Sequence, residues 1–498
     1  MRLDRIFVTL FASFALSSPV LAQVPRLEAA PPPAGTTVTD GREHFTIASA
    51  ILGETRRIFV ATPASFAATG PERRYPLILV TDGEGHSATS VVQASRELSR
   101  NGLAPEMVVA GIENIGDYDE RVRDLTPPGL SVSGSSRNEG GDRFLDFLER
   151  ELMPALDARF RAAAPRVLIG HSSGGVIATY AAATRDTYRF VVALDTPVHL
   201  DGNWLAANLT SRAKAGGQPV RYASYNAVFG WSDKAWAELM AAAPSTWVLR
   251  HEKFANETHN SMPMLGAYLG LRELFADYSR KAAPVYPTTS VLPYYDKLTV
   301  LYGAPVVPPA PLMRDVVDDL LMEGRGALAG KAFDALVAAY GDPANAAATR
   351  ARIAEAAARP APVETVESLL ATPFATADEI APYIGEWEGE SRMGTHQQTR
   401  LVLTIGVKDG RAAGQVVFKF APGEELVQPL QYVTVQPDGL TYGYMNGMRP
   451  RGMLMYPMKK KDADTLEGIM RWGGVLPPTD GRGNGAPPER ITFTRVRK

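Results

Sequence analysis

No cysteine occurs at any of the 498 positions, which removes disulfides, thiol catalysis and Cys-ligated metals and leaves packing and hydrogen bonding to hold the fold. An excess of one charge is also missing: 52 Lys and Arg face 54 Asp and Glu, for a formal net charge of −2 and a pI near 6.4. With no long single-sign block either, nucleic acid is set aside as a partner and nothing points to an anionic membrane. The third absence is an apolar run of bilayer length. The nearest approach, in MRLDRIFVTLFASFALSSPVLAQ, is shorter than the roughly 20 residues a span needs and is diluted by serines and Pro19.

That first segment does contain Arg2 and Arg5 ahead of an uncharged run beginning at Ile6, then Val20-Leu21-Ala22, with small residues at the positions a signal peptidase reads. It reads as a secretory signal peptide over residues 1–22, cut after Ala22. This predicts a bacterial periplasmic or secreted protein with no transmembrane segment once processed.

At roughly 100 to 200 residues per domain, the length predicts two or three domains. After a leader holding Pro25, Pro31, Pro32 and Pro33, apolar β-branched runs alternate with helical patterns over residues 40–282, the signature of an α/β unit with a mainly parallel sheet. Eight strands are expected: HFTIAS, RRIFVAT, YPLILV, MVVAGI, RVLIG, FVVAL, YNAVF and WVLRHEKF, the first two as an antiparallel hairpin. One helix is expected from a cap at Asp142, with Phe144, Leu145, Leu148 and Leu152 on one face and its end at Pro154. Another carries Leu265, Tyr268, Leu269, Arg272 and Phe275 at helical spacing. The Pro-dotted stretch 283–311 reads as a boundary. Three short Ala-rich helices follow in a helical segment over 312–370, and the pattern then turns to strand alternation in an antiparallel β domain over 376–498. Within it, RLVLTIGVKDGRAAGQVVFKF and LQYVTVQPDGLTYGYMN each read as two strands joined at Asp-Gly. Gly385-Glu386-Trp387, where the first strand should start, resembles the G-x-W of lipocalin-like barrels, and a tryptophan packed at the base of any small sheet would look the same. Arg449, Arg451 and Lys459-Lys460-Lys461 read as a solvated face.

The chemistry is carried by Gly170-His171-Ser172-Ser173-Gly174, a G-x-S-x-G pattern set between the apolar run Val167-Leu168-Ile169 and a helical run from Val176. That is the strand-turn-helix setting of a nucleophile elbow, which holds a serine hydroxyl clear of both elements. Ser172 is the candidate nucleophile, since only it has glycine two before and two after. A serine needs an imidazole to take its proton and an acid to orient that imidazole, in the chain order serine, acid, histidine. Beyond Ser172 lie His199, His251, His259 and His396. His396 falls in the β domain and His251 inside an expected strand, whereas His259 sits in the loop ANETHNSMP between the last strand and the last helix, the place expected of the base. His171 reads as a packing or loop residue, and His86 as pocket lining at most.

For the acid, Asp233 in FGWSDKAW is favoured because it follows the second strand after the elbow, with Glu238 and Asp195 as the other candidates. The oxyanion donors are expected to be the amide of Ser173 and that of Glu84, or failing it Gly83, in the loop TDGEGH. Trp204, Trp231 and Trp236 read equally as pocket wall or core, and 131–141 as a pocket rim.

The segments YPLILVTDGEGH, VVAGIEN, RVRDLTPP, GGDRFLDFLERELMPALDARFR, LIGHSSGG and ETHNSMP succeed one another as in the putative esterase family of α/β-hydrolases, which includes enterobactin-type siderophore esterases, S-formylglutathione hydrolase and feruloyl esterases. The chain most resembles the siderophore-esterase-like branch. The resemblance, over about residues 40–280, implies an α/β-hydrolase fold, hydrolysis of a small-molecule ester through an acyl-enzyme, no cofactor or metal, and Ser172 and His259 as catalytic residues. It departs at Leu194-Asp195-Thr196-Pro197-Val198-His199, where relatives often carry a Ser-Pro-Ser and Trp-rich loop. Two other functions fit the same residues: a hydrolase scaffold kept for ligand binding, and an acyltransferase in which another alcohol resolves the acyl-enzyme.

Overall fold

The computed structural model describes residues 24–33, 41–116, 118–131, 140–284, 287–359, 364–391, 399–420, 423–445, 452–474 and 490–497. The expected leader 1–22, His396, Arg449, Arg451 and most of the expected rim 131–141 lie outside the described residues.

Nine strands build the first sheet: β1 Glu28–Ala30, β2 Glu43–Ser49, β3 Glu54–Ala61, β4 Tyr75–Val80, β5 Val108–Ile112, β6 Ala162–His171, β7 Phe190–Leu194, β8 Arg221–Asn226 and β9 Val248–Lys253. Their order is β1-β2-β3-β5-β4-β6-β7-β8-β9. The β1–β2, β2–β3 and β3–β5 pairs are antiparallel, and from β5 through β4 to β9 every pair is parallel. The sheet is therefore mixed and one strand larger than the eight expected. The extra edge strand, Glu28-Ala29-Ala30, has no β-branched or aromatic residue to announce it. The central strands β4, β5 and β7, and the Val167–Ile169 run of β6, are apolar, as expected of strands whose two faces are both covered by helices.

On one face, helices Gly141–Phe147, Ser173–Thr184, Leu200–Ala215 and Asp233–Ala242 share a core through Phe144, Val176, Leu205 and Leu239. On the other, His86–Arg100 and Met262–Leu274 do so through Val91, Leu98, Leu271 and Leu274. The helix expected to stop at Pro154 continues to Phe160: a π-helical turn, Leu148–Leu152, leads into Met153–Phe160, and Pro154 sits directly after that turn, inside the continuing helix. Gly140, not Asp142, occupies the cap, and Asp142 instead meets Arg185 at 3.0 Å. In Met262–Leu274 the face against the sheet is Met262, Gly266, Ala267, Gly270, Leu271 and Leu274, one step round from the stripe expected.

The stretch 283–311 holds helix Val291–Tyr302, whose Val291, Tyr295, Leu298 and Tyr302 are buried in the second of these cores. Leu312, Val316, Phe333 and Ala346 from the next three helices, Ala310–Met322, Gly326–Tyr340 and Ala346–Ala357, join the same cluster. The helical segment thus extends the core of the nine-stranded unit. Further on, a separate antiparallel sheet carries its own core around Trp387, Leu403, Phe418, Tyr442 and Phe493. Its hairpin Thr399–Lys408 and Arg411–Lys419 turns at Asp409-Gly410, both at positive φ (54° and 74°), as the Asp-Gly pair predicts. Tyr432–Gln436 and Gly439–Met445 pair as expected. The two outer strands of this sheet, Glu425–Pro429 and Tyr432–Gln436, are consecutive in the chain. Among the described residues no helix is long and apolar enough to cross a membrane.

Candidate active site

β6 ends at His171, Ser172 takes φ 57° and ψ −121°, and helix Ser173–Thr184 begins at the next residue. A non-glycine residue in this region stores strain of about 1–3 kcal/mol, kept only where the surroundings over-determine it. The surroundings here do. A Cβ on Gly170 would lie 1.9 Å from the carbonyl oxygen of Gly174, and one on Gly174 would lie 2.1 Å from Thr81 Oγ1. At positions 170 and 174 strand, turn and helix approach each other too closely for a side chain, and the serine between them is half-buried. Its backbone N–H donates to Leu194 O on β7 (2.9 Å), tying the elbow to the neighbouring strand.

Leu194 is followed by Asp195, and here the structure departs from expectation. His259 Nδ1 is 2.6 Å from Asp195 Oδ2. Asp195 is fully buried, with φ 41°, and its Oδ1 accepts the amides of Ala227, Val228 and Phe229 at 2.8 to 2.9 Å. Burial alone would raise this carboxyl. The amide of Ala227, the His259 ring and the amides of Phe229 and Val228 outweigh it, and the group titrates below the ordinary carboxylate value. A carboxylate only accepts, so His259 carries its proton on Nδ1 and presents a lone pair on Nε2. Asp233 is exposed at the first residue of helix Asp233–Ala242, and its charge is felt at His251 instead. Glu238 is also exposed, beside Lys234.

His259 stands beside the elbow: its carbonyl oxygen is 2.8 Å from His171 Nε2 and the two ring centroids are 4.3 Å apart. The edge of Phe229 packs on the His259 ring at 5.3 Å, and His199 stacks on Phe229 at 6.0 Å. His251 is packed against Trp236 and accepts from Asn226 Nδ2 at 3.1 Å. Trp231 is core, between Tyr222 and Trp236, whereas Trp204 is half-buried and stacks on Tyr180.

In the loop after β4, Gly83 N–H donates to Ile112 O at 2.8 Å, so that amide is already engaged and Glu84 is the remaining nominee. Asp82, at φ 55°, is held by Arg121 through both carboxylate oxygens (2.6 and 2.9 Å), and Asn114 Nδ2 reaches Asp82 and Glu84 at 2.7 and 2.6 Å. This network, absent from the sequence reading, fixes the loop beside Gly174. Among the described residues no group of His, Asp and Glu is arranged to hold a metal ion.

A sheet of this order, with a strained serine at the carboxyl end of β6 and a His–Asp pair beside it, defines an α/β-hydrolase-like domain. Residues 49–202 match the sequence profile of the family described as "Putative esterase". The siderophore triacetylfusarinine C esterase of Aspergillus fumigatus is 33% identical over 117 residues, which is 22% of this chain and 39% of that protein. The chain therefore spans well under half the length of this curated relative. An IroE-like serine hydrolase from Shewanella oneidensis shares the fold with a TM-score of 0.50 and 24% identity, covering 59% of this chain and 98% of that one.

Proposed function

We propose that the protein is an exported serine esterase that cleaves carboxylic esters through an acyl-enzyme. The observation that carries this reading is the 2.6 Å contact of His259 with buried Asp195 next to the strained Ser172. Ser172 Oγ attacks the ester carbonyl as His259 Nε2 takes its proton, and Asp195 stabilises the imidazolium that forms. The amides of Ser173 and Glu84 receive the oxyanion. Collapse expels the alcohol, which takes the proton back from His259, and water then repeats the sequence on the acyl-enzyme to release the acid. The similarity to a triacetylfusarinine C esterase supports siderophore-type esters as the substrate class.

Export rests on the signal-peptide pattern of residues 1–22, and the β domain is taken as lipocalin-like because Trp387 is buried under the Arg495 guanidinium at the start of its first strand. Turnover of p-nitrophenyl butyrate and of triacetylfusarinine C, a ferric catecholate trilactone and a feruloyl ester by wild type and Ser172→Ala tests the assignment. Loss of all turnover in the variant is expected, and equal rates would sink it.

A further inference from the structure

We propose that His171 and His86 are positioning residues that fix the loop carrying the base, each by donating an Nε2–H to one of two successive backbone carbonyls. This rests on the serine-esterase reading above. His171 Nε2 is 2.8 Å from the carbonyl oxygen of His259 itself, and His86 Nε2 is 3.0 Å from that of Asn260. A carbonyl oxygen only accepts, so both rings must carry a proton on Nε2, which sets their tautomers.

The two anchors come from the two other parts of the site. His171 is the last residue of β6 and directly precedes Ser172, while His86 opens helix His86–Arg100 straight after the Thr81–Gly85 loop. Two hydrogen bonds therefore tie the base loop to the nucleophile on one side and to the oxyanion loop on the other. Apart from the grip of His259 on Asp195, which holds the ring by its side chain, the loop's side-chain hydrogen bonds are local: Thr258, Ser261 and Glu257 bond one another within four residues.

The three rings also lie in series. His171 and His259 centroids are 4.3 Å apart with planes at 38°, and His86 meets His171 edge-on at 6.2 Å. His171 is 8% exposed. When His259 takes the serine proton it becomes a cation over the His171 ring, which a neutral ring tolerates and a charged one would repel. Burial, with the neighbouring His259 ring, pushes His171 down to about 4 against the opposing pull of the His259 carbonyl and of Asp82, so it is the neutral ring.

The test uses the full chain and the rate at which a fluorophosphonate labels Ser172, which requires the activated serine but no knowledge of the substrate. In His171→Phe, which keeps a ring and removes the donor, we expect labelling to slow on the order of 100-fold, the scale set by an ångström of misplacement. His171→Gln, whose amide N–H extends to the same carbonyl, should recover most of the rate, and His171→Asn, one methylene shorter, should not. For esters, the loss should fall on kcat with KM held. Thermal unfolding of each variant separates rate from folding: equal rates for well-folded Phe and wild-type chains, or for Gln and Asn, overturn the positioning role. A wild type that is not labelled at Ser172 overturns the esterase reading instead.

Discussion

Asp195 grips two things at once: one carboxylate oxygen holds His259 Nδ1 at 2.6 Å, and the other collects the amides of Ala227, Val228 and Phe229. Replacing it with Asn preserves the amide-accepting oxygen, so the turn after β8 keeps its anchor. The new Nδ2 is a donor, however, and drives the His259 proton from Nδ1 to Nε2, where it blocks acceptance of the serine proton. Asp195→Asn should lower kcat by on the order of 10⁴-fold with the fold intact. Asp233→Asn, at an exposed helix start, should leave the rate unchanged. Steady-state kinetics on both variants decides between the two carboxylates.

The same relationship explains what the sequence concealed. YNAVF was expected as a strand, yet β8 is Arg221–Asn226 and the chain leaves the sheet at Ala227, because three amides that would have entered a ladder turn inward to a carboxylate. Local propensity cannot see a partner 32 to 34 residues away. Asp195 ranks behind Asp233 in the sequence because it stands one strand early. Its one local signal was a carboxylate closing the apolar run Phe190-Val191-Val192-Ala193-Leu194, a place where a charge must be paired to be buried. By contrast, the elbow and the His259 loop carry local signals: Gly170 answers to a contact with Gly174 inside the turn, and His259 lies in a loop bounded by β9 and a helix. The core shared by Tyr295, Val316 and Phe333 with the sheet was hidden by prolines that imitate a linker.

Gly174 and Thr81 should be energetically coupled. A Cβ at 174 meets Thr81 Oγ1 at 2.1 Å, an overlap that must move one element, and Gly174→Ala should cost about 1–3 kcal/mol in urea unfolding. The Thr81 hydroxyl is buried with no hydrogen-bond partner among the described residues, so Thr81→Ala gives up no bond. In the double variant the hydroxyl is gone and the remaining approaches, to Asp82 Oδ2 and the Thr81 Cβ, are both 3.1 Å. The pair should therefore cost less than the sum of the singles by about 0.5 kcal/mol or more. Strict additivity would show that the elbow does not press on this loop.

His171 should make stability depend on pH between about 4 and 6.5. Its native value is depressed, so as pH falls below 6.5 the unfolded chain takes up a proton that the native one refuses until about 4. Stability is thus lost on acidification, by roughly 3 kcal/mol for a shift of this size at a site 8% exposed. The groups facing the ring are His259, His86 and Asp82. Urea unfolding of wild type and His171→Gln at pH 7.5 and 4.5 should show the wild type losing more stability than the variant. Parallel losses would mean that the ring is charged or solvated in the native state.

Glu323 should act in the opposite sense. It is 3% exposed, accepts from Thr288 Oγ1 at 2.5 Å and has Arg325 at 3.6 Å; burial pushes it up to about 7 against the pull of Thr288 and Arg325, with Glu367 and Asp319 adding to the rise. Below pH 4.5 both states hold the proton. As pH rises from there the unfolded chain releases it while the native one retains it, so stability falls until about 7 and then levels off. Glu323→Gln keeps an oxygen for the Thr288 hydroxyl and carries no charge at any pH. The variant should match wild type at pH 4 and exceed it at pH 8 by roughly 3 kcal/mol, the full shift, with less if Arg325 swings closer to the carboxylate. Because Glu323 closes helix Ala310–Met322 and Thr288 lies in the stretch before Val291–Tyr302, the same gain should appear as slower proteolysis of the 283–325 region at pH 8. A variant less stable than wild type at pH 8 would show that Glu323 is ionised and paired there.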